Sequence, residues 1–484
     1  MQRPNHHKVL VIGAGISGIK AAAELHKQGI DCLVLEAKNV LGGRIYTDRS
    51  TDTPYDIGAS WFHDCLDNPL FEKYQKELKN QAGSGFFFDD GPMAVITEKG
   101  YIDETFAKLK PVSEEIVAYI ALTYSQNPEK PDVSLHAIIQ EYLAAYGHLL
   151  TPVQRQYSPQ LARFFELWFG ASWDMLSAKE CCEMAHAGRN AFVTNGFDTV
   201  FQNELKEFPV AQIRKNTVVH GITKTDFGVR VAARSNGEGV VFSCDYLIVT
   251  IPQAVLSLPS SQPNSVKWTP SLPHRIVSTF QKMSVASLGK IVLEFDSVFW
   301  DKSLDRFLCL SSPETISVKA PRLSMKGDPR TITVDTNPKP WSYPILFVNY
   351  HAVAGKPALL AIIAAPLTQH VETASAEKIW EIMQPMVAQL SKVADPPKPK
   401  RILTTKWTQD PYALATYSSA EPGDLPQDEA ISLLNEGYGN IRFAGEYTIV
   451  YGNGCAHGAW MSGLREATWV IEDLRRKSKR EGRL

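Results

Sequence analysis

The sequence predicts an α/β protein in which a nucleotide-binding sheet, assembled from separated stretches of chain, is interwoven with a second, α+β domain. Three observations predict it. A strand, a glycine-rich turn, a helix and a second strand follow one another at the N-terminus. Further buried-strand candidates lie far downstream, at Tyr246–Ile251, closed by Pro252, and at Ile441–Ala444, closed by Gly445-Glu446. The stretches between them differ in character: about 66 to 190 is helical and aromatic, whereas about 270 to 400 mixes strands with polar, Pro-containing chain.

Lys8–Ile12 is a short continuous apolar run, as a fully buried strand requires. Gly13-Ala14-Gly15-Ile16-Ser17-Gly18 follows, then a helical stretch to about Gln28 that Gly29 stops. A second apolar run, Cys32–Leu35, ends on Glu36. Each part of this unit has a physical task. Gly13 permits a tight turn, Gly15 lets a pyrophosphate approach the N–H groups of the helix N-terminus, and Gly18 lets helix and strand pack closely. Glu36 is placed to accept hydrogen bonds from the ribose hydroxyls of an adenosine and to repel a 2′-phosphate, which disfavours NADP. Leu161, Phe164, Phe165 and Trp168 recur at spacings of three and four, the mark of a helix face packed in a core. Strands are expected at Ile291–Phe295 and Ile345–Tyr350, with a polar insertion near Pro313–Pro340 and a stiff connector at Ala394–Lys400. Near the end, Ala459, Gly463, Ala467, Ile471 and Leu474 form a small-to-apolar stripe suited to packing on a sheet. These readings divide the chain into a cofactor-binding domain at 1–65, 190–270 and 401–484 and a substrate-binding domain at 66–189 and 271–400.

Composition narrows the function. The 484 residues carry 50 Lys and Arg against 52 Asp and Glu, a net charge of −2. A nucleic-acid binder would carry a basic surplus to match phosphate, so no nucleic-acid partner is expected. The longest strongly apolar run, Ala358–Leu367, contains Pro366 and falls short of the roughly 20 residues that a membrane-crossing helix needs. The 7 cysteines form no C-x-x-C, and the adjacent pair Cys181-Cys182 suits a reducing compartment better than a disulfide framework. No H-x-x-x-H spacing points to a metal, and no G-x-S-x-G elbow follows a strand, so neither a metal site nor a Ser-His-Asp hydrolase is expected. The N-terminus lacks the pattern of a secretory signal. The last three residues, Gly482-Arg483-Leu484, are similar to a Ser-Lys-Leu peroxisomal address with Gly in place of Ser. A cytoplasmic location is the expectation and a peroxisomal one its alternative.

A second Gly turn, Leu41-Gly42-Gly43-Arg44, sets a guanidinium behind the first one, where its fork can bridge pyrophosphate oxygens. With Gly58-Ala59-Ser60-Trp61, Arg442-Phe443-Ala444-Gly445-Glu446 and the run from Gly452 to Gly463, it resembles the flavin-containing amine oxidases. Within that family the chain is most similar to polyamine oxidases of the fungal spermine-oxidase type. The segments GASWFHDCLDNPLF (58–71), HAGRNAFVTNGFDTV (186–200), SLGKIVLEFD (287–296), APLTQHVE (365–372) and WTQDPYALATYS (407–418) carry the similarity. The resemblance implies a Rossmann-like, glutathione-reductase-like FAD-binding domain and noncovalent FAD. In relatives with cysteine-linked flavin, the cysteine lies just before the residue matching Tyr417, where this chain has Thr416. It implies that Glu446 meets the ribityl chain, that the backbone of Val219 meets adenine, and that Cys455 and Ala456 open a helix aimed at the pyrimidine end of the flavin. A positive helix end there stabilises the charge of a reduced flavin.

The same resemblance implies oxidation of spermine or an acetylated polyamine at a secondary amine, with molecular oxygen as acceptor. His63, two residues after Trp61, matches the active-site histidine, and an imidazole can accept a hydrogen bond from an amine near neutral pH. Lys290 opens an alternating strand, so its side chain can point into the flavin cavity; in the family this lysine holds a water near the flavin's central nitrogen. Asp90 and Asn195 are substrate-side positions by resemblance, with Asp89 beside Asp90 after an aromatic run that suits a polycation. Tyr417 matches one wall of an aromatic cage and Trp407 a wall near the dimethylbenzene side of the flavin. The sequence departs from the family where several relatives place Tyr: it has Cys455, followed by His457. Ala413–Thr416 replaces the usual Arg-Gly pair before Tyr417. A monoamine or L-amino-acid oxidase and a flavin-binding scaffold without turnover remain the alternatives.

Overall fold

A computed structural model describes residues 5–80, 85–183, 187–314 and 338–481. The C-terminal tripeptide and most of the Pro313–Pro340 insertion lie outside these. The apolar run His6–Ile12 forms strand β1, Ile16–Lys27 forms helix α1 and Cys32–Leu35 forms strand β2. Gly29, at φ +68°, turns the chain after the helix, as the sequence implies. β1 pairs in parallel with β2 on one side and with the strand Glu238–Val249 on the other, and Ile441–Phe443 adds in parallel beyond that strand. The two distant strands thus join the N-terminal unit in one sheet.

The Glu238–Val249 strand is longer than the expected Tyr246–Ile251 and ends two residues earlier. Its first half pairs antiparallel with Gly228–Ser235, itself paired with Thr217–Thr225, which carries Val219. That half is exposed at Glu238, Gly239 and Val241, and its apolar run, Val240–Phe242, is too short to reveal it.

A second, mixed sheet runs in the order Arg401–Thr404, Gly289–Glu294, Ala358–Ile363, Ile345–Asn349, Arg306–Cys309, Met93–Thr97, Gly100–Tyr101. Alternation sorts its two faces. Ile291 and Leu293 pack with Ile379, Met383 and Val387 of the helix Ala376–Ser391, whereas Val292 packs with Tyr55, Leu360 and Tyr350 on the opposite face. Lys290 shares parity with Val292 and so points away from the helix.

The aromatic stripe from Leu161 to Trp168 is not one helix. The helix Pro152–Ala162 gives way to a 3-10 turn at Arg163–Phe165 before Glu166–Phe169 resumes, which splits the stripe between cores: Phe165 joins the helical one, Leu161 and Phe164 the sheet one. The C-terminal stripe joins the core on the expected sheet, where Ala459, Ala467, Ile471 and Leu474 cluster with Val9, Val11 and Ile248, and it meets α1 as well. Helix Ala456–Glu481 lies against α1, and a Cβ on Gly463 would run into the backbone of Ser17. The described cysteine side chains are all free thiols, and no helix among the described residues is long and apolar enough to cross a membrane.

Candidate active site

Four parallel strands end in register: Ile12 lies beside Leu35 and Val249, and Val249 beside Phe443. The residues just past those ends, Gly13, Glu36, Thr250 and Gly445-Glu446, open on one long cleft. Ligands of parallel α/β sheets bind at this edge.

The nucleotide end is built for an anion. Gly13 turns at φ +105°, and a Cβ on Gly18 would run into the Gly13 carbonyl oxygen, so Gly18 serves packing and does not line the cleft. α1 begins at Gly15 with no side chain capping its first N–H groups and no acidic residue in its first turn. A Cβ on Gly15 would find nothing nearer than 4.0 Å, which leaves room for a phosphate against those donors. Ile16, Gly43, Arg44 and Val219 line the same stretch. Glu36 is buried at the tip of β2, where its carboxylate accepts from the N–H of Ala14 (2.7 Å) and Lys38 (2.9 Å). Burial raises its pKa and those N–H groups oppose the rise.

Toward the middle, Arg44 donates to the Thr416 carbonyl (2.7 Å) and to the buried Glu446 carboxylate (3.0 Å), which also accepts from the Ser418 hydroxyl (2.7 Å). Gly58, Ala59, Ser60, Trp407 and the Cys455-Ala456 start of the C-terminal helix complete the wall. Lys290 is buried, as strand parity requires. Its ammonium donates to the carbonyls of Asp56 (3.1 Å) and Gly58 and to the Ser60 hydroxyl, and lies 5.3 Å from the centre of the Trp61 ring. Burial depresses its pKa, while the nearby Asp56 carboxylate opposes that shift.

A small three-stranded sheet organises the far end. Trp61–Phe62 and Phe86–Phe88 both pair antiparallel with Ala191–Val193, so the residues after the first two strands and before the third, 63, 89 and 190, gather at one edge. His63 Nδ1 lies 3.1 Å from the Asn190 side-chain oxygen. That oxygen also accepts from the Asp64 backbone N–H (3.4 Å), an obligatory donor, which fixes the amide orientation. His63 therefore donates from Nδ1, and in the neutral ring Nε2 is the accepting nitrogen. Trp168 meets His63 edge-on at 5.3 Å, and its carbonyl accepts from the Tyr417 hydroxyl (2.8 Å). Burial pushes the Cys455 thiol up to about 12 and the His457 imidazole down to about 4.

Most residues expected from the sequence thus share this cleft. Two substrate-side expectations fall elsewhere. Asn195 is off the cleft wall, its carbonyl accepting from Arg49 (2.8 Å) beside Asp198; Asn190, five residues earlier in the same segment, is the one that touches His63. Asp90 is exposed and paired with Arg189 (3.0 Å), whereas Asp89 is half-buried, its carboxyl pushed up by burial against the pull of Arg306 and of the Trp61 N–H. Sequence reasoning missed Asn190 and Trp168. The pairing of Trp61–Phe62 with Ala191–Val193 is what exposes the first; nothing in the spacing singled out Trp168 from its core neighbours.

Comparison with known proteins agrees with the geometry. Residues 16–471 match the family described as flavin containing amine oxidoreductase. A corticosteroid-binding protein of Candida albicans is 37% identical over 98% of both chains. Polyamine oxidase 4 of Oryza sativa subsp. japonica is 28% identical over 95% of this chain and 87% of its own. In structure, a putrescine oxidase redesigned in its cofactor binding superposes with a TM-score of 0.69 at 16% identity, covering 97% of this chain and 99% of that one. The uncapped helix start, the Arg44 fork and the acid at the tip of β2 fit the cofactor of such proteins, and the chain belongs to the flavin-containing amine oxidoreductases, with FAD as its cofactor.

Proposed function

We propose that the protein oxidises polyamines, spermine or N-acetylated polyamines, at a secondary amine, yielding a shortened polyamine, an aminoaldehyde and hydrogen peroxide. The observation that carries this reading is the far end of the cleft, where Asn190 meets the His63 ring through its side-chain oxygen (3.1 Å) and the Asp89 backbone N–H through its carbonyl (3.2 Å), so that the half-buried Asp89 follows a strand next to that of His63. An amine reacts only when neutral, so a polycation must lose one proton at the reacting nitrogen and keep its others. Nε2 of His63 is the acceptor for that nitrogen's N–H, and Asp89 attracts an ammonium further along the substrate. Trp61, Trp168 and Tyr417 wall the reacting segment off from water. FAD, when bound, would supply the two-electron oxidation of the carbon next to nitrogen, with oxygen as final acceptor, and hydrolysis of the resulting imine would release the aminoaldehyde. Lys290, whose ammonium is clasped by the 56–60 segment, would brace that wall of the cofactor site. Noncovalent attachment accords with Thr416 before Tyr417 and with the protonated Cys455 thiol.

The dinucleotide edge further supports a glutathione-reductase-like FAD domain at 1–65, 190–270 and 401–484 interleaved with a substrate domain. The test is peroxide release over spermine, spermidine and their acetylated forms, with product identification and with anaerobic bleaching of the flavin. Spermine should bleach it, and benzylamine and amino acids should not. Asp89→Asn should raise KM for spermine about tenfold, the weight of one charged hydrogen bond, and Asp90→Asn should leave it within about twofold, as for a surface pair. Equal effects of the two substitutions would refute the assignment of Asp89. A second reading follows from the 37% identity to a corticosteroid-binding protein and from the apolar, aromatic walls: a steroid occupies the same end of the cleft. Cortisol that perturbs the flavin spectrum while no polyamine bleaches it would favour that reading.

A further inference from the structure

Trp407 lines the cleft together with Ile57, Gly58 and Lys290, yet the group that holds it is outside the cleft. Glu372 lies in the last turn of the helix Leu367–Thr373 and is 2% exposed. One carboxylate oxygen accepts from the Trp407 backbone N–H (2.9 Å); the other accepts from the Thr408 N–H (2.8 Å) and the Thr408 hydroxyl (2.5 Å). The Glu372 carbonyl receives the Lys406 ammonium. The turn from 406 to 408 is thus bound to one residue at four points. The Trp407 indole N–H donates to the Ile57 carbonyl (3.3 Å), at the start of the segment that clasps Lys290. Next to the turn, Thr405 and Lys290 exchange hydrogen bonds, N–H to carbonyl (3.1 Å) and N–H to hydroxyl (3.4 Å).

We propose that Glu372 is a positioning residue for the flavin site: its carboxylate fixes the Trp407 ring against the cleft. The chemistry requires a carboxylate. Two backbone N–H groups need an acceptor each, and neither can rotate away as a hydroxyl can. A carboxamide offers one oxygen and sets its NH2 against the second N–H, so the turn must shift and the ring with it. The proposal rests on FAD in the cleft and not on which amine is oxidised.

The test uses the purified holoenzyme and four variants, Glu372→Gln, Thr408→Val, Trp407→Ala and the double variant of Glu372→Gln with Trp407→Ala. Three quantities are read: the visible absorbance of bound flavin, the dissociation constant for FAD, and the limiting rate of anaerobic flavin reduction by spermine per bound flavin. The first two need no substrate, so a failed polyamine assignment leaves them intact. Glu372→Gln should shift the flavin absorbance in the direction of Trp407→Ala and weaken FAD retention about tenfold, roughly one buried hydrogen bond. Thr408→Val should give a smaller change of the same kind. The double variant should match Trp407→Ala, because a residue that acts through the ring has nothing to position once the ring is gone. A Glu372→Gln protein that melts earlier but keeps the wild-type flavin spectrum and FAD affinity overturns the proposal, as do effects of the two substitutions that multiply. If Glu372→Gln fails to fold, a wild-type spectrum and FAD affinity in Thr408→Val overturn it.

Discussion

An imidazole has two nitrogens, and it can accept from an amine only if the accepting one is committed by what the other does. In this protein Asn190 makes the commitment, and the Asp64 N–H in turn keeps the Asn190 oxygen facing His63. Asn190→Ala should therefore lower kcat/KM for the amine by roughly tenfold, the worth of one hydrogen bond that holds the reactive tautomer, with FAD content unchanged. Steady-state peroxide release against flavin absorbance checks this, and a wild-type kcat/KM would show that the tautomer is set elsewhere. The neighbouring residues show what is legible at this scale. His63 and Lys290 could be read from the sequence because a motif or a strand parity pins each one. Asn190 and Asp89 could not, because each has a like residue close by in the sequence, Asn195 and Asp90, and the choice depends on the pairing of three short strands. Their registers put 89 and 190 beside 63 and leave Asp90 with Arg189 at the surface.

Elements were legible where a local pattern had one physical cause. The turn after β1 and the stop of α1 follow from glycines that no other residue replaces without strain or collision. The C-terminal stripe names the buried residues and the sheet they cover, but not the second partner, α1. Periodicity tells which face of a helix is small and apolar, whereas its neighbouring helix depends on the packing order of layers. Here the two helices share one core with the sheet and touch where Gly463 faces the Ser17 backbone. Gly463→Ala must push the two apart. Because α1 opens at the phosphate-facing Gly15 and the C-terminal helix opens at Cys455-Ala456 on the flavin wall, separation disturbs both ends of the cofactor site. The expected cost is about 1–3 kcal/mol of stability, as for overpacking a core, together with weaker FAD retention. Thermal unfolding and ultrafiltration of the free flavin measure the two, and unchanged values in both would mean that the helices yield without strain.

At the scale of the whole molecule, the cleft is where distant parts of the chain are joined. Arg44, near the N-terminus, donates to Thr416 and Glu446, and Lys38 pairs with Asp410 (2.5 Å). The strands that form the cofactor edge likewise come from the two ends and the middle of the sequence. A chain so interleaved cannot form its site until its distant segments have met, and FAD binds only the assembled state. Binding to the folded state alone stabilises it by an amount set by ligand excess, about 2.7 kcal/mol at a hundredfold excess over Kd. The Tm of the apoprotein should consequently climb with FAD concentration, and the domains proposed from the sequence should melt in one transition. Glu446→Gln keeps the shape but removes the charge that Arg44 meets, so at fixed FAD the gain in Tm should shrink while the apoprotein changes less. Calorimetric scans over a range of FAD concentrations make the measurement. A Tm indifferent to FAD, or two transitions of which only one responds, would mean that the segments assemble independently and that the cleft is not what ties them.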